Sequence, residues 1–393
     1  MKAMILAAGK GTRLAPMTHT TPKPLIPLLG RPVIDLIMES LTSQGIRDMA
    51  INTSHLSEEI IKFCQTGAQY DARLLFSYEG VVSNGQHHSL PLGSAGGLRN
   101  VQQKWRYFDD TFVVVCGDAY FDIDLWEAVR AHNANEALAT VITKAMPSDQ
   151  LHKYGVVLTD ATNKVLSFQE KPAPSEARSN MINTGVYVFD KAIFDHIPAT
   201  GEYDIGSQLL PSLVAAGERF YAHETTGTWL DIGSIADIHA ATAEILGRHT
   251  RLKIPGQRIG HSFWAAPGAC VRPSSLVTRG GVFVNSGARI EADAIIQGPT
   301  VIGRNCEVRT GARIERCIIM ADHLVFESHC DLQDKIITNE HVISLDGSAE
   351  PLAAMVCRGV RDSRAADDQY SPMSGGTAAH GGSLLRAPAA DHR

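Results

Sequence analysis

Through residues 1–247, short apolar runs alternate with amphipathic stretches. Residues 2–6 (Lys-Ala-Met-Ile-Leu) and 111–116 (Thr-Phe-Val-Val-Val-Cys) are continuous runs of strand length, the pattern of a strand buried on both faces. Residues 49–53 and 73–77 give two further strands. Residues 32–44 put Val33, Ile34, Ile37 and Leu41 on one helical face, with Gly45 as the stop, and residues 58–64 give a second helix. This βαβα rhythm predicts an α/β domain, layered around a Rossmann-like mixed, mostly parallel sheet. Ligands of such sheets collect beyond the C-terminal strand ends. Leu6 and Cys116 therefore mark where to look for chemistry.

The pattern changes near residue 250. Every sixth residue from Val284 is apolar: Ile290, Ile296, Ile302, Val308, Ile314, Met320, Phe326 and Leu332 follow it. Four residues further into each unit stand Ala288, Ala294, Thr300, Cys306, Ala312, Ile318, Leu324, Cys330 and Ile336, all small or apolar. A period of six is not helical. It fits a hexapeptide-repeat parallel β-helix, in which each unit gives one short strand and one corner. A weaker coil precedes it, marked by Cys270, Leu276 and Val282. The expected organisation is an α/β domain over residues 1–247, a linker over 248–264, the β-helix over 265–345 and a tail over 346–393. The tail is rich in Ala, Gly, Ser, Asp and Arg, which bury too little apolar surface to offset the entropy of ordering, so disorder is expected there.

Composition narrows the function. With 44% hydrophobic residues the chain buries a large core, and a formal charge of −6 disfavours bulk binding to nucleic acid or to an anionic membrane. No apolar run approaches the ~20 residues of a membrane helix. Seven cysteines without a C-x-x-C pair read as reduced thiols in a cytoplasmic protein.

The richest chemistry stands at the N-terminus: Leu6-Ala7-Ala8-Gly9-Lys10-Gly11-Thr12-Arg13-Leu14, then Thr21-Pro22-Lys23-Pro24-Leu25. A glycine-rich loop after a strand lets backbone N–H groups approach a phosphate. Arg13 can grip phosphate oxygens bidentately, and Lys23 is confined between two prolines. The string is neither a Walker A loop nor a complete Gly-x-Gly-x-x-Gly, since position 14 is leucine.

This segment resembles the signature of the sugar-1-phosphate nucleotidylyltransferases, and the likeness continues in order. Leu92-Gly93-Ser94-Ala95-Gly96-Gly97-Leu98 is similar to the family's base segment, and Cys116-Gly117-Asp118 to its strand-end Gly-Asp. Tyr154-Gly155-Val156-Val157, Phe168-Gln169-Glu170-Lys171-Pro172 and Asn183-Thr184-Gly185-Val186-Tyr187 are similar to its sugar-phosphate segments, and Trp229-Leu230-Asp231-Ile232-Gly233 to its second acidic segment. The resemblance implies that residues 6–9, 11–13 and 93–96 bind nucleotide, and that Gly155, Glu170, Lys171 and Asn183 bind the sugar phosphate. It also implies that Asp118 and Asp231 hold Mg²⁺, that Arg13, Lys23 and Asp118 are catalytic, and that the β-helix is left-handed. The substrates implied are a nucleoside triphosphate and a sugar-1-phosphate. The base segment and the β-helix together look most like mannose-1-phosphate guanylyltransferases; uridylyl- or thymidylyltransferases acting on glucose-1-phosphate, and a silent regulatory subunit, are the alternatives. An acyltransferase is a further one, with His323 and His329 available in the β-helix. Open coil ends predict a homo-oligomer assembled through about residues 265–340. The polar insert at 83–89 lengthens the approach to the base segment, and Trp105, Trp126 and Trp264 read as packing residues.

Overall fold

Strand β1 (Lys2–Leu6) lies at the centre of the first domain because both of its faces are apolar: Ala3 and Ile5 join one core, Met4 the other. The computed structural model describes residues 1–83, 86–247, 249–250, 252–260, 262–272 and 280–364. Around β1 stand α1 (Val33–Ser43), β2 (Asp48–Thr53), α2 (Ser57–Cys64), β3 (Arg73–Tyr78), α3 (Ser94–Trp105) and β4 (Phe112–Cys116). The strands run β3-β2-β1-β4, all parallel, with Leu6 opposite both Asn52 and Cys116. The apolar stripe of α1 covers one face with the helix Ile235–Leu246; α3 and the aromatic pair Phe108 and Phe112 cover the other. The strand order turns back at β1, so a crevice opens beyond Leu6 and Cys116, where the strand-end rule places a ligand.

The sheet is mixed beyond β4. The strand Met181–Phe189 runs antiparallel to β4, and its other edge pairs with Ala139–Ala145. Residues 186–189 pair with β4 and Ile182 pairs with Val156 of the next strand, on the same edge. Residues 183–185, between those two partners, face neither. The sheet is split there, beside the C-terminal end of β4.

The second domain has three faces of short strands. Registers such as Arg289↔Glu307 and Ile295↔Arg313↔Asp331 are parallel and 18 residues apart, three hexads per coil. The small column of Ala288, Ala294, Cys306, Ala312 and Cys330 is buried inside with Ile290, Ile302, Val308, Ile314 and Phe326. The sixfold pattern slips twice. In the weaker first coil Cys270 pairs with Arg289, 19 residues on, so Cys270 is exposed and Ala269 packs on the interior in its place. Val301 pairs with Ile318, only 17 residues on, so Cys317 and Ile319 point inward in place of Ile318 and Met320. A one-residue shift exchanges the two faces of a strand. Ile318 and Ile336 therefore join Phe283, Val301 and Ile343 on an outer face packed into the core of the first domain with Leu28, Ile245 and Leu246.

Three expectations change. The linker is partly β-structure: Gln257–Arg258 pairs antiparallel with Trp264–Ala265, while Leu252 and Ile254 pack on the first domain's core. The start of the tail is folded. His341–Ser344 and Ala349–Pro351 turn back antiparallel, Leu352–Arg358 forms a 3-10 helix, and Val360–Asp362 pairs antiparallel with Leu324–Phe326. Met355 and Val360 are buried in the β-helix interior, which supplies the apolar surface that tail composition did not reveal. Residues 365–393 of the expected tail, and Leu276, lie outside the described residues. At the coil end thought to invite other chains, two of the three strand faces are covered by the chain's own strands, while Asp331–Gln333 remains an edge among the described residues. Among the described residues, no helix is long and apolar enough to cross a membrane. Trp264 is buried, as a packing residue should be, whereas Trp105 and Trp126 are exposed.

Candidate functional site

The crevice beyond β1 and β4 is a cleft of about 260 Å³ lined by Leu6, Arg13, Ser94, Asp118, Gly155, Glu170, Lys171, Asn183, Tyr187, Asp204 and Asp231 among others. Nine residues singled out in the sequence, from seven separate segments, meet there. The remainder of the nucleotide set, at positions 7–9, 11–12, 93 and 95–96, forms the flanking loop and helix start rather than the wall.

Asp118 follows Gly117, whose N–H donates to the Leu6 carbonyl at 2.9 Å; a Cβ on Gly117 would meet that oxygen at 2.8 Å. Close approach of two strand ends thus requires glycine and delivers Asp118 to the cleft. Asp231 arrives on Thr228–Asp231, paired antiparallel with Ala119–Asp122 so that Asp231 stands opposite Ala119. The Ile232 N–H donates to the Asp118 carbonyl at 3.1 Å, fixing the two acidic segments together. Burial raises the Asp231 carboxyl to about 6, the negative charge of Asp118 adds to this, and Lys23 opposes it. Lys23 is 8% exposed and its ammonium donates to Asp118 Oδ2 at 2.5 Å. Gly11, at φ +65°, packs on its stem: a Cβ there would lie 3.1 Å from Lys23 Cβ and 2.9 Å from Thr18.

Two carboxylates from adjacent strands, opening on a cleft with Arg13, suit magnesium, which takes one or two protein carboxylates and completes its octahedron with phosphate and water oxygens. Among the described residues no group of three or more His, Cys, Asp or Glu side chains assembles, so phosphates would have to supply the other ligands.

Glu170 and Lys171, expected to bind the sugar phosphate, pair with each other at 3.1 Å at the rim, with Lys171 at φ +46°. Gly155 lies under them; a Cβ would stand 2.5 Å from Phe168 and 3.2 Å from Glu170 Oε2. Asn183 lies in the sheet split, where its amide donates to Tyr187 Oη at 2.8 Å and its carbonyl oxygen accepts from the Gly185 N–H at 2.9 Å.

Two groups escaped the sequence reading. Asp204 lines the cleft and ties the base segment to it: Ser94 Oγ donates to Asp204 Oδ2 at 2.7 Å and accepts from the Ile205 N–H at 2.7 Å. Gly93, at φ +72°, lies where a Cβ would meet the Tyr203 carbonyl oxygen at 2.4 Å. Hydrogen bonds from the Ser207 N–H and hydroxyl help to hold the Asp204 carboxyl below its usual range despite burial. The second group is Asn52 and Glu79. Asn52 accepts from the Ala7 N–H at 2.8 Å and donates to Glu79 Oε1 at 2.7 Å, while Glu79 Oε2 accepts from the Leu92 N–H at 3.3 Å. Burial raises the Glu79 carboxyl. This chain of bonds joins the N-terminal loop to the base segment. Both residues stand at the C-terminal ends of β2 and β3, so the strand-end rule applied to every strand would have found them. The insert forms a hairpin, Gly80–Ser83 with Gln86–Ser89, leading into that segment.

A family described as "Nucleotidyl transferase" matches residues 2–248, and the "GMPPB C-terminal domain" matches residues 278–346. The chain belongs to the sugar-1-phosphate nucleotidyltransferase family. It is 40% identical over 372 residues to a UTP–glucose-1-phosphate uridylyltransferase of Synechocystis sp., covering 94% of this chain and 96% of that one. It is 31% identical over 340 residues to a mannose-1-phosphate guanyltransferase of Yarrowia lipolytica, covering 86% of each. The crystal structure of HddC from Yersinia pseudotuberculosis complexed with GMP-PN matches with TM-score 0.50 and 25% identity, over 61% of this chain and 97% of that one. This family of enzymes transfers a nucleotidyl group to a sugar-1-phosphate. The guanylyl likeness expected from the base segment yields to the higher identity and wider coverage of the uridylyltransferase.

Proposed function

We propose that the protein condenses UTP with glucose-1-phosphate to UDP-glucose and pyrophosphate. The observation that carries this choice is the 40% identity to a uridylyltransferase across nearly all of both chains. An oxygen of the glucose-1-phosphate attacks the α-phosphorus of UTP; the bond to the bridging oxygen of the β-phosphate breaks, and pyrophosphate leaves with that electron pair. The attacking phosphate is already anionic, so no strong general base is needed, and the work is alignment and charge neutralisation. In this reading Arg13 and Lys23 hold the triphosphate along residues 6–12, Ser94 at the start of α3 flanks the base, and Lys171 holds the sugar phosphate. Glu170 and Asn183 meet sugar hydroxyls, Asn183 by sharing the bonds it makes within its own strand. Asp118 and Asp231 would hold magnesium, which when bound neutralises charge developing at the α-phosphate.

The test crosses UTP, dTTP, GTP, ATP and CTP with glucose-1-phosphate and mannose-1-phosphate, scoring pyrophosphate release. UTP with glucose-1-phosphate should give a kcat/KM at least tenfold above any other pair. A tenfold advantage for GTP with mannose-1-phosphate would restore the guanylyl reading and sink this one.

A further inference from the structure

Lys23 carries two roles that one position of its ammonium does not satisfy together. Its place beside residues 9–12 suits a triphosphate, yet with no ligand present the ammonium rests on Asp118, the carboxylate proposed for magnesium. The side chain is not free to wander. It is 9% exposed, its stem lies against Gly11, and it leaves a backbone fixed by Pro22 and Pro24. The same stem runs along the loop, with Cδ 3.5 Å from the position of a Cβ on Gly11, so a short swing of the ammonium separates Asp118 from the loop.

We infer that Lys23 is the resident counter-ion of the metal site: it occupies Asp118 in the free enzyme, keeps a divalent cation out, and is drawn off when a nucleoside triphosphate arrives carrying the cation. The charges make the exchange one-directional. In the free enzyme the Lys23 ammonium stands against the two acidic groups Asp118 and Asp231, and a divalent cation entering alone would have to share the Asp118 oxygen with that ammonium at hydrogen-bonding range. Arrival of a triphosphate supplies anionic oxygens for the ammonium and further ligands for the cation, so both cations are satisfied at once. Arg13 also lines the cleft but is exposed, and Lys153 is held by Asp237 at 2.9 Å, which leaves Lys23 as the cation placed on Asp118 among the described residues.

The inference rests on the reading of Asp118 as a metal ligand, and the experiment separates the two. Mn²⁺ is titrated into the intact protein without nucleotide and bound metal is followed by electron paramagnetic resonance. The wild type should bind weakly, Lys23→Gln at least tenfold more tightly, and Lys23→Arg, which retains a cation, as weakly as the wild type. In the wild type, a non-hydrolysable UTP analogue should restore tight binding. Equal Mn²⁺ affinity for the wild type and Lys23→Gln overturns the counter-ion role, as does tight nucleotide-free binding by the wild type, a readout that holds even if the variant folds poorly. Lys23→Gln combined with Asp118→Asn tests the ligand reading: its gain should vanish, and a gain that persists removes Asp118 as the ligand.

Discussion

Arg13 stands exposed at the mouth of the cleft, with no packing duty to confuse its loss with unfolding. Arg13→Ala should lower kcat by about 10²–10³-fold, the usual effect of deleting one preorganised charge contact, while circular dichroism stays unchanged. Near-normal turnover would remove it from the site. His132 does not line the cleft, and it sets part of the response to acid. It is 2% exposed and shares a 2.9 Å hydrogen bond with Thr140 Oγ1, and burial pulls its pKa down to about 4. Unfolded, it titrates near ~6.5. Between those values the unfolded chain holds more protons, so the contribution is fully present above the unfolded value and drains away as the pH falls towards the folded one. About 2 kcal/mol should be lost from this source between pH 7 and pH 5. Urea unfolding across that range should show His132→Gln with a flatter dependence than the wild type; parallel curves would refute the assignment.

At the scale of elements, Ile314 fills the β-helix interior at 0% exposure, and Ile314→Ala should cost about 2–5 kcal/mol by chemical denaturation. Ile318 sits one face away, against the first domain, so Ile318→Asp should loosen the junction between domains. Thermal unfolding should then split into two transitions, and a single unshifted transition would contradict the packing. The sixfold column was legible because each strand repeats the same side-chain size. The slip at 301–318 was not, since Ile318, Ile319 and Met320 are all apolar and any of them satisfies the pattern. The strand ends at Leu6 and Cys116 were legible because parallel strands buried on both faces read as unbroken apolar runs. Asn52 and Glu79 were not, because a lone amide or acid after a strand carries no local mark of what it bonds to across the sheet. Asp204 stayed hidden for the same reason, its partner Ser94 being 110 residues away.

For the molecule as a whole, the outer β-helix face and the first domain share one apolar core, so the β-helix is a structural floor under the segment carrying Lys23. The strand Val360–Asp362 closes another face of the β-helix, along Leu324–Phe326. A chain ending at Gly347 should leave the Leu324–Phe326 edge unpaired and associate edge to edge. Sedimentation velocity should then show larger species than for the full chain, and identical profiles would mean that the strand has no protective part. The order of synthesis follows from the same strand. Translation produces residues 324–326 well before their covering strand, so every nascent copy passes through an interval in which its coil is complete but its edge is bare. On a crowded messenger, neighbouring nascent chains would present that edge to one another, and the later-made strand Val360–Asp362 is the one that separates them.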